Sequence, residues 1–433
     1  MASTYFLETL GCPKNQVDSD KLAGTLEGGG YLATSSIEDA DLVVVNTCAF
    51  IEAARQESID TILALDGARR PGSRLVVTGC LAERYGSELA EALPEVDLVA
   101  GFGVPLVPVQ LGPTKARHRV PVPSFDLLEL PRPPHASPWA YVKVAEGCDR
   151  RCGFCAIPSF RGPQRSRTLD AVLAEVEALG PSVREVVLVA QDLASWGLDR
   201  ASGPSRGGRS RSRPIVDLVP RVAERVARVR LLYLYPSSLD DALIEAVVES
   251  GVPYFDLSLQ HAARPHLRRM RRWGDAERFL ERIAAIRAVA PDAALRSSFI
   301  LGYPGETEED HDALLEFVAG ARLDWGGFFL FSEEPGTLAA GPKAGPRVPA
   351  ELAMERLREC AELQDAITAE RRAGLVGSVA DVLVDDPGHG RSFREAPEID
   401  GVVHVDDELA PGSVLRMRVT EACGPDVWAE PEP

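Results

Sequence analysis

Gly147-Cys148-Asp149-Arg150-Arg151-Cys152-Gly153-Phe154-Cys155 is the stretch on which the reading of this chain turns. Its three cysteines stand within eight residues, spaced C-x3-C-x2-C, just after the apolar run 140–145. Three thiolates this close in sequence can face one metal centre, and thiolate suits both zinc and iron–sulfur clusters. A structural zinc site takes four protein ligands. Here the nearest histidines are His135 before the motif and His261 after it, so no fourth ligand is close in sequence. A cubic four-iron cluster held by three cysteines leaves one iron open to another ligand. Three merely structural thiols are disfavoured, because isolated core cysteines do not cluster this way.

From Trp139 onward, candidate strands at 140–145, 185–190, 229–235, 254–260, 295–301 and 326–331 alternate with helical patterns near 168–179, 215–227, 239–250, 275–289 and 307–321. Six parallel strands with intervening helices predict a partial (β/α)6 barrel over 139–373, closed by a helix over about 350–373. Barrel active sites form at the carboxyl ends of strands, and the cysteine motif follows the first strand. Gln191 and Asp192 follow the second strand, Gln260 and His261 the fourth, and Gly302-Tyr-Pro-Gly-Glu306 the fifth.

Residues 1–111 carry β-rich runs at 4–10, 41–46, 74–78 and 97–100, separated by helical patterns near 17–27, 52–66 and 83–92. This alternation predicts a doubly wound parallel α/β domain. Cys12, Cys48 and Cys80 each fall one or two residues past a strand's carboxyl end, where open α/β sheets bind ligands. Three thiols distant in sequence should therefore converge into a second site. Seven prolines in 112–138 predict a linker.

The insertion 200–214 reads as a disordered, solvated loop, and the basic run Arg264–Arg272 as a candidate substrate-facing surface. Cys360 and Cys423 stand alone and read as structural. Residues 375–433, with short strands and Gly/Pro turns, predict a small OB-like β-barrel. That module holds 7 Asp and 6 Glu against 4 Arg and no Lys, a balance of −9. Such a surface suits a basic partner and repels a phosphate backbone.

The whole chain has 433 residues, 45% of them hydrophobic, and a formal net charge of −18. This argues against general affinity for nucleic acid or anionic membrane. No signal peptide or membrane span is expected, and eight cysteines without a secretory context point to metal ligands in a cytoplasmic protein.

Several motifs together resemble the radical S-adenosylmethionine (SAM) methylthiotransferases: Leu10-Gly-Cys-Pro-Lys-Asn15, Val45-Asn-Thr-Cys48, Val77-Thr-Gly-Cys80, Glu146-Gly-Cys-Asp149, Cys152-Gly-Phe-Cys-Ala-Ile-Pro158 and Phe299-Ile-Leu-Gly-Tyr-Pro-Gly-Glu-Thr307. Pro13-Lys14 and Ala396-Pro-Glu-Ile-Asp-Gly401 are similar to the RimO branch, which modifies an aspartate of small-subunit ribosomal protein S twelve. The resemblance implies an amino-terminal methylthiotransferase domain, a radical SAM barrel and a terminal TRAM domain. It implies two 4Fe-4S clusters, one on Cys148, Cys152 and Cys155 that binds SAM, and an auxiliary one on Cys12, Cys48 and Cys80. Phe154, Gln191, Gln260, Gly302 and Glu306 are the implied SAM-facing residues.

By the same resemblance, SAM is both radical source and methyl donor, sulfur comes by way of the auxiliary cluster, and the site of modification is the aspartate β-carbon. An electron donor such as flavodoxin or ferredoxin is implied, and direct transfer RNA binding is not expected. Two alternatives stay open at this point: a transfer RNA adenosine methylthiotransferase of the MiaB type, and a non-catalytic iron–sulfur redox sensor. The terminal residues 422–433 and the 200–214 insertion depart from the family pattern.

Overall fold

The computed structural model describes residues 2–102, 104, 126–200 and 213–432. The expectation for the insertion 200–214 therefore falls mostly outside the described residues, as does that for 112–125 in the Pro-rich stretch.

The first unit runs β1 (Thr4–Thr9), α1 (Pro13–Gly28), β2 (Leu32–Ala33), β3 (Leu42–Thr47), α2 (Glu52–Ala68), β4 (Arg74–Gly79), α3 (Cys80–Ala92) and β5 (Leu98–Val99). Its strands pair in parallel in the order β2-β1-β3-β4-β5. Val43, Val44 and Val45 of β3 are fully buried, as a central strand covered on both faces requires. The strand order reverses between β1 and β3, which opens a ligand crevice at their carboxyl ends. The two-residue β2, following a run of glycines, is too short to leave a periodic signal in the sequence.

The described part of the Pro-rich stretch docks on α1. Leu127 and Leu128 are buried, and the enclosed Lys21 ammonium donates to the Leu128 carbonyl at 2.6 Å.

The second unit begins with β6 (Trp139–Lys143), then the small antiparallel pair β7 (Ala145–Glu146) and β8 (Arg165–Ser166), with α4 (Ile157–Arg161) between them. There follow α5 (Leu169–Ala178), β9 (Glu185–Val189), α6 (Pro214–Ala223), β10 (Arg228–Leu231), α7 (Asp241–Glu249), β11 (Tyr254–Gln260), α8 (Arg264–Arg269), α9 (Ala276–Val289), β12 (Ala294–Leu301), α10 (Glu308–Ala321), β13 (Trp325–Leu330) and α11 (Ala350–Ala373). Two three-stranded parallel sheets, β10-β9-β6 and β11-β12-β13, are joined by a parallel bridge between Leu234 and Leu257. Six strands thus stand side by side in chain order, as an open barrel.

Outward residues such as Val142, Leu188 and Phe299 bury against helix residues such as Leu173, Leu218 and Leu314. The inward face, with Tyr141, Val187, Val189, Tyr254 and Trp325, is filled from both neighbouring units: Val17 of α1 enters it, and so does Ala396.

The last unit is a closed five-stranded barrel in the order β14-β15-β16-β18-β17, formed by β14 (Val379–Asp386), β15 (His389–Arg391), β16 (Val403–His404), β17 (Val414–Cys423) and β18 (Asp426–Pro431). Its β15–β16 segment plugs the amino-terminal end of the large barrel. The Tyr141 hydroxyl donates to the Pro397 carbonyl at 3.2 Å, Trp325 Nε1 donates to the Arg394 carbonyl at 2.7 Å, and the Tyr254 hydroxyl donates to Asp400.

Glu185, fully buried at the start of β9, is ringed by Arg230 at 2.7 Å, Arg391 at 3.2 Å and Arg228 at 3.8 Å. Burial opposes its charge, but the guanidiniums prevail and hold its pKa down to about 2. The two lone cysteines differ. Cys360 is a core residue, whereas Cys423 is exposed at the end of β17, so burial gives it no structural role. Among the described residues no helix is long and apolar enough to cross a membrane.

Candidate active site

Cys12 caps the amino end of α1, Cys48 follows β3, and Cys80 opens α3 directly after β4. Cys12 and Cys48 thus flank the point where the strand order reverses. Two glycines make the approach possible. Gly11 (φ +97°) lies so close that a Cβ there would sit 2.9 Å from Cys48 Sγ, and a Cβ on Gly79 (φ +91°) would meet Asn46 Oδ1 at 2.4 Å and the Thr47 carbonyl at 2.5 Å. Only glycine fits such a backbone at that distance.

Asn15 ties the loops together, its Nδ2 donating to the Leu10 and Thr47 carbonyls at 2.8 and 3.1 Å. The three thiols act on one another electrostatically, Cys12 and Cys48 both raising Cys80. Burial pushes the Cys80 thiol up to about 12 and also raises Cys48. At Cys12 burial is outweighed by Lys14 and Arg161, which hold the thiol below its ordinary value. Unmetallated, this is a mixed site; a bound metal would keep all three as thiolates.

The second trio sits at the mouth of the large barrel. Cys148, Cys152 and Cys155 lie on the loop between β7 and α4, which is pinned by the Gly153 N–H to the Met270 carbonyl at 2.8 Å and by the Ala339 N–H to the Gly153 carbonyl at 2.9 Å. Burial raises Cys148 to about 11 and Cys155 to about 12. Two guanidiniums flank the loop. Arg272 Nη1 donates to Cys152 Sγ at 3.4 Å, Arg150 Nε donates to Asp192 at 2.6 Å, and both stack on the Tyr235 ring at 4.0 and 3.8 Å. Beside Arg150 opens a cavity of about 370 Å³ lined by Asp149, Asp192, Ser195 and Ser238, among others.

Between the trios runs a buried charge cluster that the sequence did not reveal. Arg161, the last residue of α4, reaches Cys80 Sγ at 3.0 Å and Asn15 Oδ1 at 2.8 Å with one nitrogen. With the other it holds both oxygens of Glu146 at 2.9 Å and Asp18 at 3.2 Å. Lys143 bonds the same two carboxylates. Burial opposes ionisation of Glu146, but Arg161 and Lys143 keep its carboxyl well below the usual range. Glu146 lies two residues before Cys148, so one guanidinium links the thiol Cys80 to the loop of the other trio.

The Cys12 side also meets the barrel at Tyr233, whose left-handed backbone (φ +66°) is held by its N–H to Asp256 at 2.9 Å and whose ring lies 3.4 Å under the Lys14 ammonium.

The other expected residues divide. Gln191 Nε2 donates to Glu146 at 2.7 Å, while its Oε1 is buried without a partner, as are Asp192 Oδ1 and Arg272 Nε. These orphaned groups beside Cys148 and Cys152 suit a polar ligand. Phe154 is partly buried against the barrel core, and Gln260 ends β11 in a left-handed conformation (φ +76°). Gly302 and Glu306 are tied to the closing helix. Glu306 accepts from the Gly302 N–H at 2.6 Å and from Arg356 of α11 at 3.0 Å, and a Cβ on Gly302 would meet Ala353 of the same helix at 2.7 Å. They brace the loop against α11.

The basic run Arg264–Arg272 is likewise no continuous outer surface. Arg272 turns in to Cys152, and Arg269 pairs with Asp310 at 2.7 Å.

The ligand atoms of His261, His266 and Glu306 lie within 4.8 Å of one another, a spacing a single ion could bridge. The ring tautomers oppose it. His261 Nδ1 accepts from the Ala263 N–H at 3.1 Å and His266 Nδ1 from Arg269 at 2.8 Å, which leaves the protons on both Nε2 atoms. Both cysteine trios stand beside cationic groups, Arg161 at Cys80 and Arg272 at Cys152, which suits an iron–sulfur cluster of net negative charge.

Comparison with known proteins agrees with this geometry. The model of the uncharacterized protein family UPF0004 matches residues 4–101, that of the radical SAM superfamily matches 142–318, and that of the TRAM domain matches 376–431. The structure of the radical SAM methyltransferase TsrM from Kitasatospora setae superposes with a TM-score of 0.53 at 15% identity, over 83% of this chain and 84% of that one, a likeness of fold alone. The chain is thus a radical SAM enzyme with an added cysteine-bearing α/β unit.

Its curated relatives narrow this further. Ribosomal protein uS12 methylthiotransferase RimO of Moorella thermoacetica is 43% identical over 95% of each chain. The protein of that name from Chloroflexus aurantiacus is 39% identical over 98% of this chain and 99% of its own. The chain belongs to the RimO family of methylthiotransferases.

Proposed function

We propose that this chain methylthiolates the β-carbon of an aspartate in ribosomal protein uS12, in the cytoplasm. Cys148, Cys152 and Cys155 would hold the 4Fe-4S cluster that binds SAM, and Cys12, Cys48 and Cys80 the auxiliary cluster. The observation that carries this reading is the buried Arg161 guanidinium, which reaches Cys80 of one trio and Glu146 at the start of the loop that bears the other. The sequence relationship to RimO proteins supports the substrate.

An aspartate β-C–H is beyond any side-chain base, so the bound clusters and SAM must supply the one-electron and sulfur chemistry. The protein's own part is placement. Gln191 Oε1, Asp192 and Arg272 offer polar contacts beside the Cys148, Cys152 and Cys155 trio, while Arg161 and Lys14 set positive charge against Cys80 and Cys12. The lumen side chains Tyr141, Tyr254 and Trp325, covered by the 393–400 segment, close the amino-terminal end of the barrel to water. The electron would come from a donor of flavodoxin or ferredoxin type.

The test is mass spectrometry after reconstitution with iron, sulfide, reductant and SAM. The expected product is uS12 carrying one methylthio group on an aspartate. Modification of transfer RNA instead would move the chain to the MiaB type, and no change in cluster spectrum on adding SAM would favour a redox sensor.

A further inference from the structure

We infer that the row His389–His404–Trp428 on the C-terminal barrel is a docking surface for an arginine-rich segment of the protein substrate. This rests on the reading of the chain as a modifier of a basic protein.

The three side chains are direct cross-strand neighbours on β15, β16 and β18: His389 pairs with His404, and His404 with Trp428. The histidine rings stand 5.6 Å apart, and His404 stacks on Trp428 at 4.5 Å with 20° between their planes. The intervening side chains on these strands, Val403, Val427 and Ala429, point inward and fill the small core with Met417 and Val419. The ringed side chains are therefore surplus to the core. His389 and Trp428 are exposed, the indole to 37%.

The surroundings are acidic. Glu421 lies directly across from Trp428, Asp426 stands 3.4 Å from His404, and Glu430, Asp406 and Asp407 are exposed nearby in the chain. Of the module's arginines only Arg418 stands on this side, across from Glu430. Arg416 and Arg418 are committed to Glu432 at 2.7 and 3.1 Å, while Arg391 and Arg394 turn to the large barrel. A stacked aromatic face rimmed by carboxylates matches a guanidinium, which lies flat on a ring and bonds carboxylates from its edge. Nucleobases also stack on such rings, but their phosphates would meet the same carboxylates.

The experiment uses the full-length holoenzyme, with fluorescence anisotropy of a labelled ten-residue arginine-rich peptide and of an RNA oligonucleotide of equal length, alongside steady-state kinetics on uS12. Trp428→Ala should weaken peptide binding about five- to tenfold and raise KM for uS12 by a similar factor, with kcat unchanged. Trp428→Tyr, which keeps a ring, should recover most of it. Glu421→Lys, at an exposed position, should weaken peptide binding without touching the stack, and so serves if Trp428→Ala misfolds. Unchanged peptide affinity and KM in these variants would overturn the proposal, as would RNA binding tighter than peptide binding and lost in Trp428→Ala. Wild-type enzyme that leaves uS12 unmodified defeats the proposed function itself; normal turnover with an unaltered KM in the variants defeats only the docking surface.

Discussion

Replacing Arg161 by methionine probes the junction of the two trios most sharply. Methionine keeps much of the side-chain length but none of the charge. In the native structure the guanidinium makes five polar contacts, to Glu146 twice, Asp18, Asn15 and Cys80, and lies over the Phe102 ring at 4.5 Å. Its loss leaves two buried carboxylates with Lys143 as their shared cation, so one of them must take up a proton or admit water.

Breaking a buried pair from one side costs about 3–5 kcal/mol. The elements that separate are α1, which carries Asp18, and the β7–α4 loop, which carries Glu146 and Arg161. At about 1.4 kcal/mol per tenfold, amide hydrogen exchange by local opening of these segments should speed up roughly a hundredfold to a few thousandfold. Peptide-resolved mass spectrometry on the unmetallated protein reads this without interference from the clusters. Arg161→Lys, which keeps a charge but loses the forked contacts, should fall between. Exchange in α1 within about threefold of wild type for Arg161→Met would refute the reasoning, because it would place the cluster's cohesion elsewhere.

Three further outcomes follow from the same structure. Gly79→Ala drives a Cβ to 2.4 Å from Asn46 Oδ1 at a backbone that only glycine adopts freely, so it should displace Cys80 and lower the iron content by about half while the large barrel keeps its cluster. Asp400 is raised by burial to about 6, so the folded state keeps a proton that the unfolded chain releases. Its contribution to stability is therefore full below about pH 4 and is lost as pH climbs to about 6, amounting to roughly 3 kcal/mol, and the difference in urea midpoint between wild type and Asp400→Asn should track that window. Glu306→Gln weakens the pairing with Arg356 of α11 and should lower thermal stability, with little change in SAM affinity by calorimetry, since that carboxylate faces the helix.

The six clustered cysteines were legible because strand ends and short spacing leave a mark in one dimension. Cys12, Cys48 and Cys80 needed only the rule that ligands bind past parallel strands. The element boundaries of the six-stranded barrel were legible for the same reason, as apolar runs alternating with amphipathic ones. Arg161 was not. A basic residue ending a five-residue helix reads as a solvated charge, and only tertiary structure brings it to Glu146 and Cys80. The buried Lys21 and Lys143 were hidden likewise, since their partners Glu175 and Asp18 lie far along the chain. Gly302 and Glu306 were placed by resemblance; the pairing of the Glu306 carboxylate with Arg356 of α11 is a contact no local pattern encodes. The lumen plug at 393–400 was seen only as a motif, because neither periodicity nor charge announces that an irregular segment will be buried.

The central claim is a division of labour: one trio for cleaving SAM, the other for supplying sulfur. It is tested most directly by assaying deoxyadenosine and methylthiolated uS12 side by side in two reconstituted variants. With Cys12, Cys48 and Cys80 all changed to alanine, deoxyadenosine should still form and no methylthio product should appear. With Cys148, Cys152 and Cys155 changed, neither should form. A methylthiolated product from the first variant, or deoxyadenosine from the second, would contradict the account.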